Sequence, residues 1–252
     1  MFSVASREQI VSEVLRWATS DPRVVSGAVV GSLAHTAGDR WSDIDLTFAV
    51  AEAHELTKVL DEWTKRVVDE FQGVVLFDLP HGSSIYRVFL MPGCLQFDLS
   101  FTAVEDFGAI GPNFRLLFGN AVNRPHVSAP DIRTLLGYGA HHVVRARFCI
   151  ERDRLAQAEY WLSAARDYIM SAACLQAGLP ATHGRGFDRL PAEARRCLED
   201  ALVRSLERAE LMRALGRTVA ALMEQLIAVP ELEERLSPEL KSLPEPLSPD
   251  QP

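Results

Sequence analysis

Residues 24–50 constrain the fold more than any other part of the chain, because two apolar runs there are joined by a polar loop. Val24–Val30 is rich in β-branched residues and predicts a buried strand. Ile44–Val50 alternates apolar and polar residues at its start, which predicts a second strand. Because side chains alternate along a strand, Asp43 and Asp45 should project side by side from the face opposite its apolar residues.

Gly31 and Ser32 stand where the first run ends and the loop begins. Glycine lacks a Cβ, so a phosphate can approach its backbone closely. Ser32 offers a hydroxyl and a backbone N–H, and a short helix starting there would add free N–H groups that bind anions. Two carboxylates as close as Asp43 and Asp45 repel unless a cation lies between them, and Mg²⁺ prefers one or two carboxylates together with phosphate oxygens. The segment therefore predicts a site for Mg²⁺ and the phosphates of a nucleotide.

A third carboxylate, Asp98, lies in residues 95–101, which alternate apolar and polar residues. If that strand pairs beside the first two, Asp98 joins Asp43 and Asp45 on one patch. Three carboxylates suit a site for two metal ions, or a metal pair in which one residue also serves as a base. The alternative is a solvated polar strand face for all three aspartates, with Gly-Ser as an ordinary turn.

This pattern resembles the signature of the DNA polymerase β-type nucleotidyltransferase superfamily. That signature is an apolar residue, Gly, Gly or Ser, a loop of this kind, then Asp-x-Asp, with a carboxylate on a later strand. The matching residues are Gly31, Ser32, Asp43, Asp45 and Asp98, and the resemblance covers about residues 7–120. It implies that the three aspartates bind metal and catalyse, and that the nucleotide is bound by Gly31 and Ser32 with the first two aspartates. The size and helical second half resemble the antibiotic nucleotidyltransferases that modify aminoglycosides or lincosamides.

Other polar residues leave more than one interpretation open. His35 and Arg40 flank the predicted phosphate loop, where they would either neutralise triphosphate charge or belong to an ordinary solvated loop. His141 and His142 lie on a predicted helix, and because no third ligand stands at metal spacing, a capped or surface pair is favoured over a metal site.

The spacing of apolar residues predicts an α+β chain: an N-terminal nucleotidyltransferase-type mixed sheet with flanking helices, followed by a C-terminal helical bundle. A capping box at Ser6-Arg7-Glu8-Gln9 predicts a first helix, and Gly73 should stop a second. Further strands are expected at about 74–79, 85–91 and 95–102. The predicted domains are a nucleotidyltransferase domain over 1–120, a helical bundle over 131–229, and a poorly ordered tail rich in Pro and Glu over 230–252.

Composition narrows the classes of partner. The 252 residues carry a net charge of −8, which argues against a nucleic-acid partner because such proteins need a basic track along the phosphate backbone. Hydrophobic residues make up 48% and charged residues 24%, as in globular domains, and no apolar run approaches the length of a membrane span. The four cysteines form no C-x-x-C pair and the N-terminus has no signal pattern, so we expect a cytoplasmic protein without a zinc site.

These expectations converge on an enzyme that transfers a nucleoside monophosphate, AMP from ATP or the equivalent group of another NTP, to a hydroxyl of a small molecule such as an antibiotic. Two Mg²⁺ ions are expected, and Asp98 would bind the second ion or take the acceptor's proton. The acceptor would lie between the two halves of the chain, and the acidic balance favours a cationic one bound by Glu159 and Asp167.

Two rival interpretations belong to other classes. The first is an antitoxin-like module that binds or adenylylates a protein partner; the helical half of more than a hundred residues weakens it, since such proteins tend to be the α/β domain alone. The second is a non-catalytic nucleotide-binding scaffold, which the presence of all three carboxylates disfavours. The sequence identifies neither the acceptor, nor the preferred nucleotide, nor the oligomeric state.

Overall fold

The structure is a computed structural model and describes residues 1–35, 38–125 and 129–245. Over these residues it has the predicted α+β class, with a mixed sheet and helices in the N-terminal half and helices throughout the C-terminal half. The chain divides into two units, Met1–Val127 and Ser128–Pro252, and this division falls within the predicted linker between residues 120 and 131. Among the described residues, no helix combines the length and apolar character that a membrane span requires.

The first unit is built on a six-stranded sheet in the order β3-β4-β5-β2-β1-β6. β2 and β5 run parallel, and the other neighbouring pairs are antiparallel. The parallel pair arises because the chain leaves β2, forms a helix and a hairpin, and returns as β5. The strands are β1 (Val24–Val30), β2 (Ile44–Val50), β3 (Val74–His81), β4 (Ser84–Met91), β5 (Leu95–Ala103) and β6 (Phe114–Phe118).

Two helices cover one face of this sheet, which we call the core face. They are α1 (Val4–Ser20) and α2 (Leu56–Phe71). Trp63 of α2 packs edge-on against Phe101 of β5 with ring centroids 5.1 Å apart, and against Phe48 of β2 at 5.3 Å. Trp17 of α1 meets Trp63 edge-on at 5.9 Å. These buried aromatic side chains fix both helices to the central strands.

The ends of both helices differ from the sequence-based expectation. α1 begins a turn earlier, because Ser3 and not Ser6 is the N-cap: the Ser6 N–H donates to Ser3 Oγ and the Ser3 N–H donates to Ser6 Oγ. α2 ends at Gln72, which takes the left-handed conformation at φ 57° and donates its N–H to the Val67 and Val68 carbonyls. Gly73 therefore follows the cap and does not form it.

β6 is absent from the sequence-based expectation. Its five residues pair with β1 and so occupy the edge of the sheet. The segment has no clean alternation, since two leucines are adjacent at its centre and its residues are half-buried or exposed. A strand of this kind is specified by its partner more than by its own pattern.

The second unit consists of five helices over the residues that the structure describes. They are α3 (Ile132–Glu151), α4 (Leu155–Gln176), α5 (Ala192–Asp200), α6 (Arg208–Leu226) and α7 (Pro230–Ser242). Asp131 caps α3 by accepting the Thr134 N–H at 2.9 Å. The core is filled by leucines and alanines of α3, α4 and α6, including Leu136, Leu162 and Leu215.

α7 corrects the prediction that residues from 230 onward are poorly ordered. Pro230 stands in its first turn, where a proline N–H is not needed. Leu232, Leu236 and Leu240 recur at four-residue spacing and pack against the helical core. The high content of Pro and Glu obscured this apolar stripe in the sequence. Residues 246–252 of the predicted tail lie outside the described residues.

Candidate functional site

Asp45 and Asp98 are direct neighbours on the sheet. β2 and β5 pair in parallel with Asp45 opposite Asp98, while the flanking residues pair as Ile44 with Phe97 and Leu46 with Leu99. Those flanking residues are buried in the core, so the two aspartates lie on the other side, which we call the carboxylate face. Both aspartates are half-buried. Two of the three predicted carboxylates therefore meet across one strand-to-strand spacing.

Asp43 precedes β2 and is not part of the strand ladder. Its charge is nevertheless felt at Asp98. Burial raises the pKa of the Asp98 carboxyl, Gln96 Nε2 lowers it by donating to Asp98 Oδ1 at 3.0 Å, and the Asp43 charge raises it again. A carboxylate whose pKa is raised by burial and by a like charge is a better proton acceptor near neutral pH than an ordinary aspartate.

The Gly31 backbone lies against the Asp45 carboxylate. Gly31 has φ +67°, in the left-handed region that favours glycine. A Cβ placed there would clash with Asp45 Oδ2, so a side chain at this position would displace the carboxylate. Glycine is thus favoured both by backbone conformation and by the close approach of the carboxylate.

Ser32 follows in a single 3-10 turn, Gly31–Ala34. The sequence left open a short helix with a free N-terminus here, but one turn of this length is not such a helix. Ser32 Oγ is buried, and it has no hydrogen-bond partner among the described residues. A buried hydroxyl without a partner carries a desolvation cost that a bound polar group would remove.

The predicted phosphate-loop residues His35 and Arg40 each contact another part of the first unit. His35 Nε2 is 3.1 Å from the Pro112 carbonyl, and the Arg40 guanidinium lies over the Trp41 ring, 4.3 Å from its centroid. Both side chains are exposed. Their role in neutralising a triphosphate stays a prediction. Residues 36 and 37 of the same loop lie outside the described residues.

Arg7 is a residue of this site that the sequence analysis did not identify as functional. It lies on α1, is 7% exposed, and donates to backbone carbonyls of the loop that leads into Asp43. A signal was present in the sequence, because Arg7 falls on the same helical stripe as the apolar residues Ile10, Val14 and Trp17. A charged residue on a buried stripe needs a polar partner.

Tyr86, whose phenol feels the Asp45 charge, and Arg124, whose charge acts on Tyr86, are two further polar groups that were not predicted. Tyr86 is opposite Ser100 on β5, and burial raises the pKa of its phenol, with the Asp45 charge acting in the same direction and Arg124 against it. The Tyr86 and Ser100 hydroxyls are close, yet Ser100 Oγ has no partner that meets hydrogen-bond geometry among the described residues. Arg124 Nη1 donates to the Asp106 carbonyl at 2.7 Å. The positions of both side chains depend on strand pairing and on the path of the loop after β6, which a local sequence pattern does not encode.

A cleft of about 380 Å³ lies beside Asp45, between α1, the turn after β1, and β6. Arg7 and Arg115 line it together with apolar side chains such as Leu33. Arg115 Nε donates to the Ala34 carbonyl at 3.0 Å, which ties β6 to the turn that follows Gly31. The cleft therefore places two guanidinium groups near Asp45 on the side of the sheet that α1 covers, since Arg115 pairs with Val29 and Val29 with Leu46.

The carboxylates do not form a complete metal cage. Over the described ranges, no group of three or more His, Cys, Asp or Glu side chains is arranged to hold a metal ion. Asp43 stands outside the ladder that joins the other two. The prediction that Asp43, Asp45 and Asp98 together bind two metal ions stays a prediction. Mg²⁺ commonly takes one or two protein carboxylates and completes its shell with phosphate oxygens and water, so adjacent aspartates still fit a magnesium–nucleotide complex.

The two acidic residues predicted to bind a cationic acceptor lie on α4 of the second unit. Glu159 accepts a hydrogen bond from the Ser163 hydroxyl at 2.6 Å, and Asp167 is exposed. Their predicted role stays a prediction.

Comparisons with known proteins add little to this site. No protein-family model matches the chain, and no curated protein matches it. Among solved structures, the chain is similar to the crystal structure of an aminoglycoside 6-adenyltransferase from Bacillus subtilis, with 14% sequence identity and a TM-score of 0.41 over 91% of this chain and 95% of that one. A likeness this weak assigns neither a family nor an activity.

Proposed function

We propose that the protein is a Mg²⁺-dependent nucleotidyltransferase that moves a nucleoside monophosphate, AMP from ATP, onto a hydroxyl of a small molecule such as an antibiotic. The observation that carries the proposal is the contact set around Asp45. This carboxylate is adjacent to Asp98 across the parallel strand pair and packs against the backbone of Gly31. Paired carboxylates beside a glycine turn are the arrangement that a nucleotide triphosphate with its metal requires.

The donor set suits magnesium bound together with the nucleotide. Asp43 and Asp45 would hold the ion, which when bound neutralises phosphate charge during transfer. Gly31 would let a phosphate approach the backbone, and the buried Ser32 hydroxyl would gain the partner that it lacks among the described residues. Because Mg²⁺ usually takes one or two protein carboxylates together with phosphate oxygens, nucleotide and metal are expected to bind together.

The transfer step follows from these groups. The acceptor hydroxyl oxygen attacks the α-phosphorus and forms a new P–O bond. The bond between that phosphorus and the oxygen leading to the β-phosphate breaks, and pyrophosphate leaves with the electron pair. The acceptor's proton passes to the Asp98 carboxylate, whose pKa is raised chiefly by burial. Most of the rate would come from positioning and electrostatic stabilisation.

The test is a screen of hydroxylated small molecules, aminoglycosides and lincosamides among them, with each NTP and Mg²⁺. Pyrophosphate release is measured, and mass spectrometry identifies acceptor that has gained a nucleoside monophosphate. Asp45→Asn is expected to lose transfer by about 10²-fold or more, the scale of a lost key electrostatic group. Asp69→Asn makes the same chemical change at an exposed position on α2 and should leave transfer unchanged.

The outcomes separate the proposal from its alternatives. Pyrophosphate release that is insensitive to Asp45→Asn would contradict the assignment of the site. Transfer of the nucleotide to a copurified polypeptide, and to no small molecule, would favour a protein-modifying or antitoxin-like module. Binding of Mg·ATP without any transfer over the whole panel would favour a scaffold.

A further inference from the structure

Arg7 acts on the candidate site through the backbone of the loop that precedes Asp43. We infer that Arg7 is a positioning residue that fixes the orientation of Asp43 and thereby sets the affinity for the metal–nucleotide complex. This inference rests on the proposed function. It assigns a role to a buried charge that the transfer chemistry does not otherwise use.

The contacts of Arg7 are specific. A single guanidinium nitrogen, Nη1, donates to the Asp39 carbonyl at 2.7 Å and to the Ser42 carbonyl at 2.9 Å. These partners lie 32 and 35 residues away in the chain, so the contacts are tertiary and not part of the helix. Hydrogen bonds from a charged donor are among the stronger ones in proteins, and they are stronger still when buried.

The segment that Arg7 holds is a closed turn. The Asp39 N–H donates to Ser42 Oγ at 2.9 Å, and the Trp41 N–H donates to Asp39 Oδ1 at 2.7 Å. The Ser42 N–H donates to the Asp39 carbonyl at 3.3 Å. Arg7 bonds the two carbonyls at the ends of this turn, so it sets the orientation of the turn as a unit.

The Ser42 carbonyl matters most, because it belongs to the peptide that joins Ser42 to Asp43. A peptide unit is planar, so a bond that fixes this carbonyl also fixes the N–H and Cα of Asp43. Ile44, the next residue, is held in β2, so the backbone is fixed on both sides of Asp43 and the direction of its side chain is set. Arg7 thus reaches Asp43 through one peptide plane, although Asp43 stands outside the strand ladder.

α1 provides a firm support for this arrangement. Val14 and Trp17, on the same stripe as Arg7, are buried in the core. Arg7 also lines the cleft beside Asp45, on the side of the sheet that α1 covers. A buried guanidinium held by a packed helix can hold a metal ligand in place, since groups that bond behind metal ligands tune metal affinity.

The experiment uses the full chain, with calorimetric titration of ATP at a series of Mg²⁺ concentrations. Arg7→Met is expected to raise the Mg²⁺ concentration needed for half-maximal ATP binding by about tenfold or more. In EDTA, neither Arg7→Met nor the unmodified protein should bind ATP, because the proposed binding requires Mg²⁺. Arg16→Met is the matched control: it removes the same charge from the same helix at a side chain that is 63% exposed and pairs with Glu13, and it should have no effect.

A second variant covers the case in which Arg7→Met does not fold. Ser42→Ala removes the Ser42 Oγ bond within the turn and leaves α1 intact, so it should shift the Mg²⁺ dependence in the same direction. A lower Tm with unchanged Mg²⁺ dependence in either folded variant would overturn the inference, because a merely structural role predicts that result. If the unmodified protein shows no Mg²⁺-dependent ATP binding, the proposed function itself fails, and this outcome is distinct.

Discussion

Replacing Gly31 with alanine should damage the site by a mechanism that the structure allows us to separate from general destabilisation. Two effects act on Gly31→Ala. The first is backbone strain, because φ is +67° and the left-handed region costs an alanine about 1–2 kcal/mol. The second is steric, because the new Cβ would stand 2.1 Å from Asp45 Oδ2.

The steric effect sets the functional magnitude. Ordinary contact distances require the Asp45 carboxylate to move by roughly 1 Å, and misplacement on that scale can cost about 10²-fold in rate. The strain sets the effect on stability, which should lower the Tm of a unit of this size by roughly 3–10 °C. We therefore expect Gly31→Ala to lower the affinity for Mg·ATP and to reduce Tm together.

Gly82→Ala is the matched control for this prediction. Gly82 lies in the turn between β3 and β4 with φ +59°, but a Cβ there would meet nothing within 4 Å. It should therefore show a similar loss of Tm by thermal unfolding and unchanged Mg·ATP affinity by calorimetry. Equal affinities for the two variants would refute the argument that the Gly31 backbone and the Asp45 carboxylate share a tight contact.

Three further predictions concern single groups. Burial raises the pKa of the Asp98 carboxyl, the Gln96 hydrogen bond lowers it and the Asp43 charge raises it again, so the folded protein holds this proton more tightly than the unfolded chain does. The free energy of unfolding should therefore fall as pH rises through the folded pKa. Asp98→Asn should remove that fall, as measured by urea unfolding at acidic and at neutral pH. Hydrogen bonds from the Arg23 side chain and from Trp63 Nε1 lower the pKa of Asp21 to about 2. Asp21→Asn should therefore cost roughly 2 kcal/mol of unfolding free energy near neutral pH, and this cost should disappear as pH falls through about 2. Mn²⁺ added without nucleotide should bind at least about tenfold more weakly than with ATP, because no three-residue cage is preformed over the described ranges.

The local parts of the site could be predicted from the sequence for a clear reason. Gly31, Ser32, Asp43 and Asp45 occupy consecutive strand and turn positions, and the apolar alternation around them shows which side chains share a face. Strand propensity and turn chemistry are encoded within a few residues, so β1 and β2 appear with the predicted bounds.

The long-range parts could not be predicted in the same way. The register that sets Asp98 beside Asp45 depends on the crossover through α2 and the β3–β4 hairpin, and alternation alone does not fix a pairing partner. Arg7 reaches its partners across more than thirty residues. The position of Asp43 relative to the ladder depends on the turn that Arg7 holds, and no local pattern in the sequence encodes that contact.

The central claim is that Asp45 and the Gly31 turn bind a nucleotide triphosphate with magnesium. The most direct measurement is calorimetric titration of the unmodified protein and of Asp45→Asn with ATP, in Mg²⁺ and in EDTA. We expect the unmodified protein to bind one ATP per chain, and only when Mg²⁺ is present. Asp45→Asn should bind ATP at least about tenfold more weakly, with a Tm close to that of the unmodified protein. Equal Mg²⁺-dependent binding by both proteins would contradict the account, as would the absence of ATP binding by the unmodified protein.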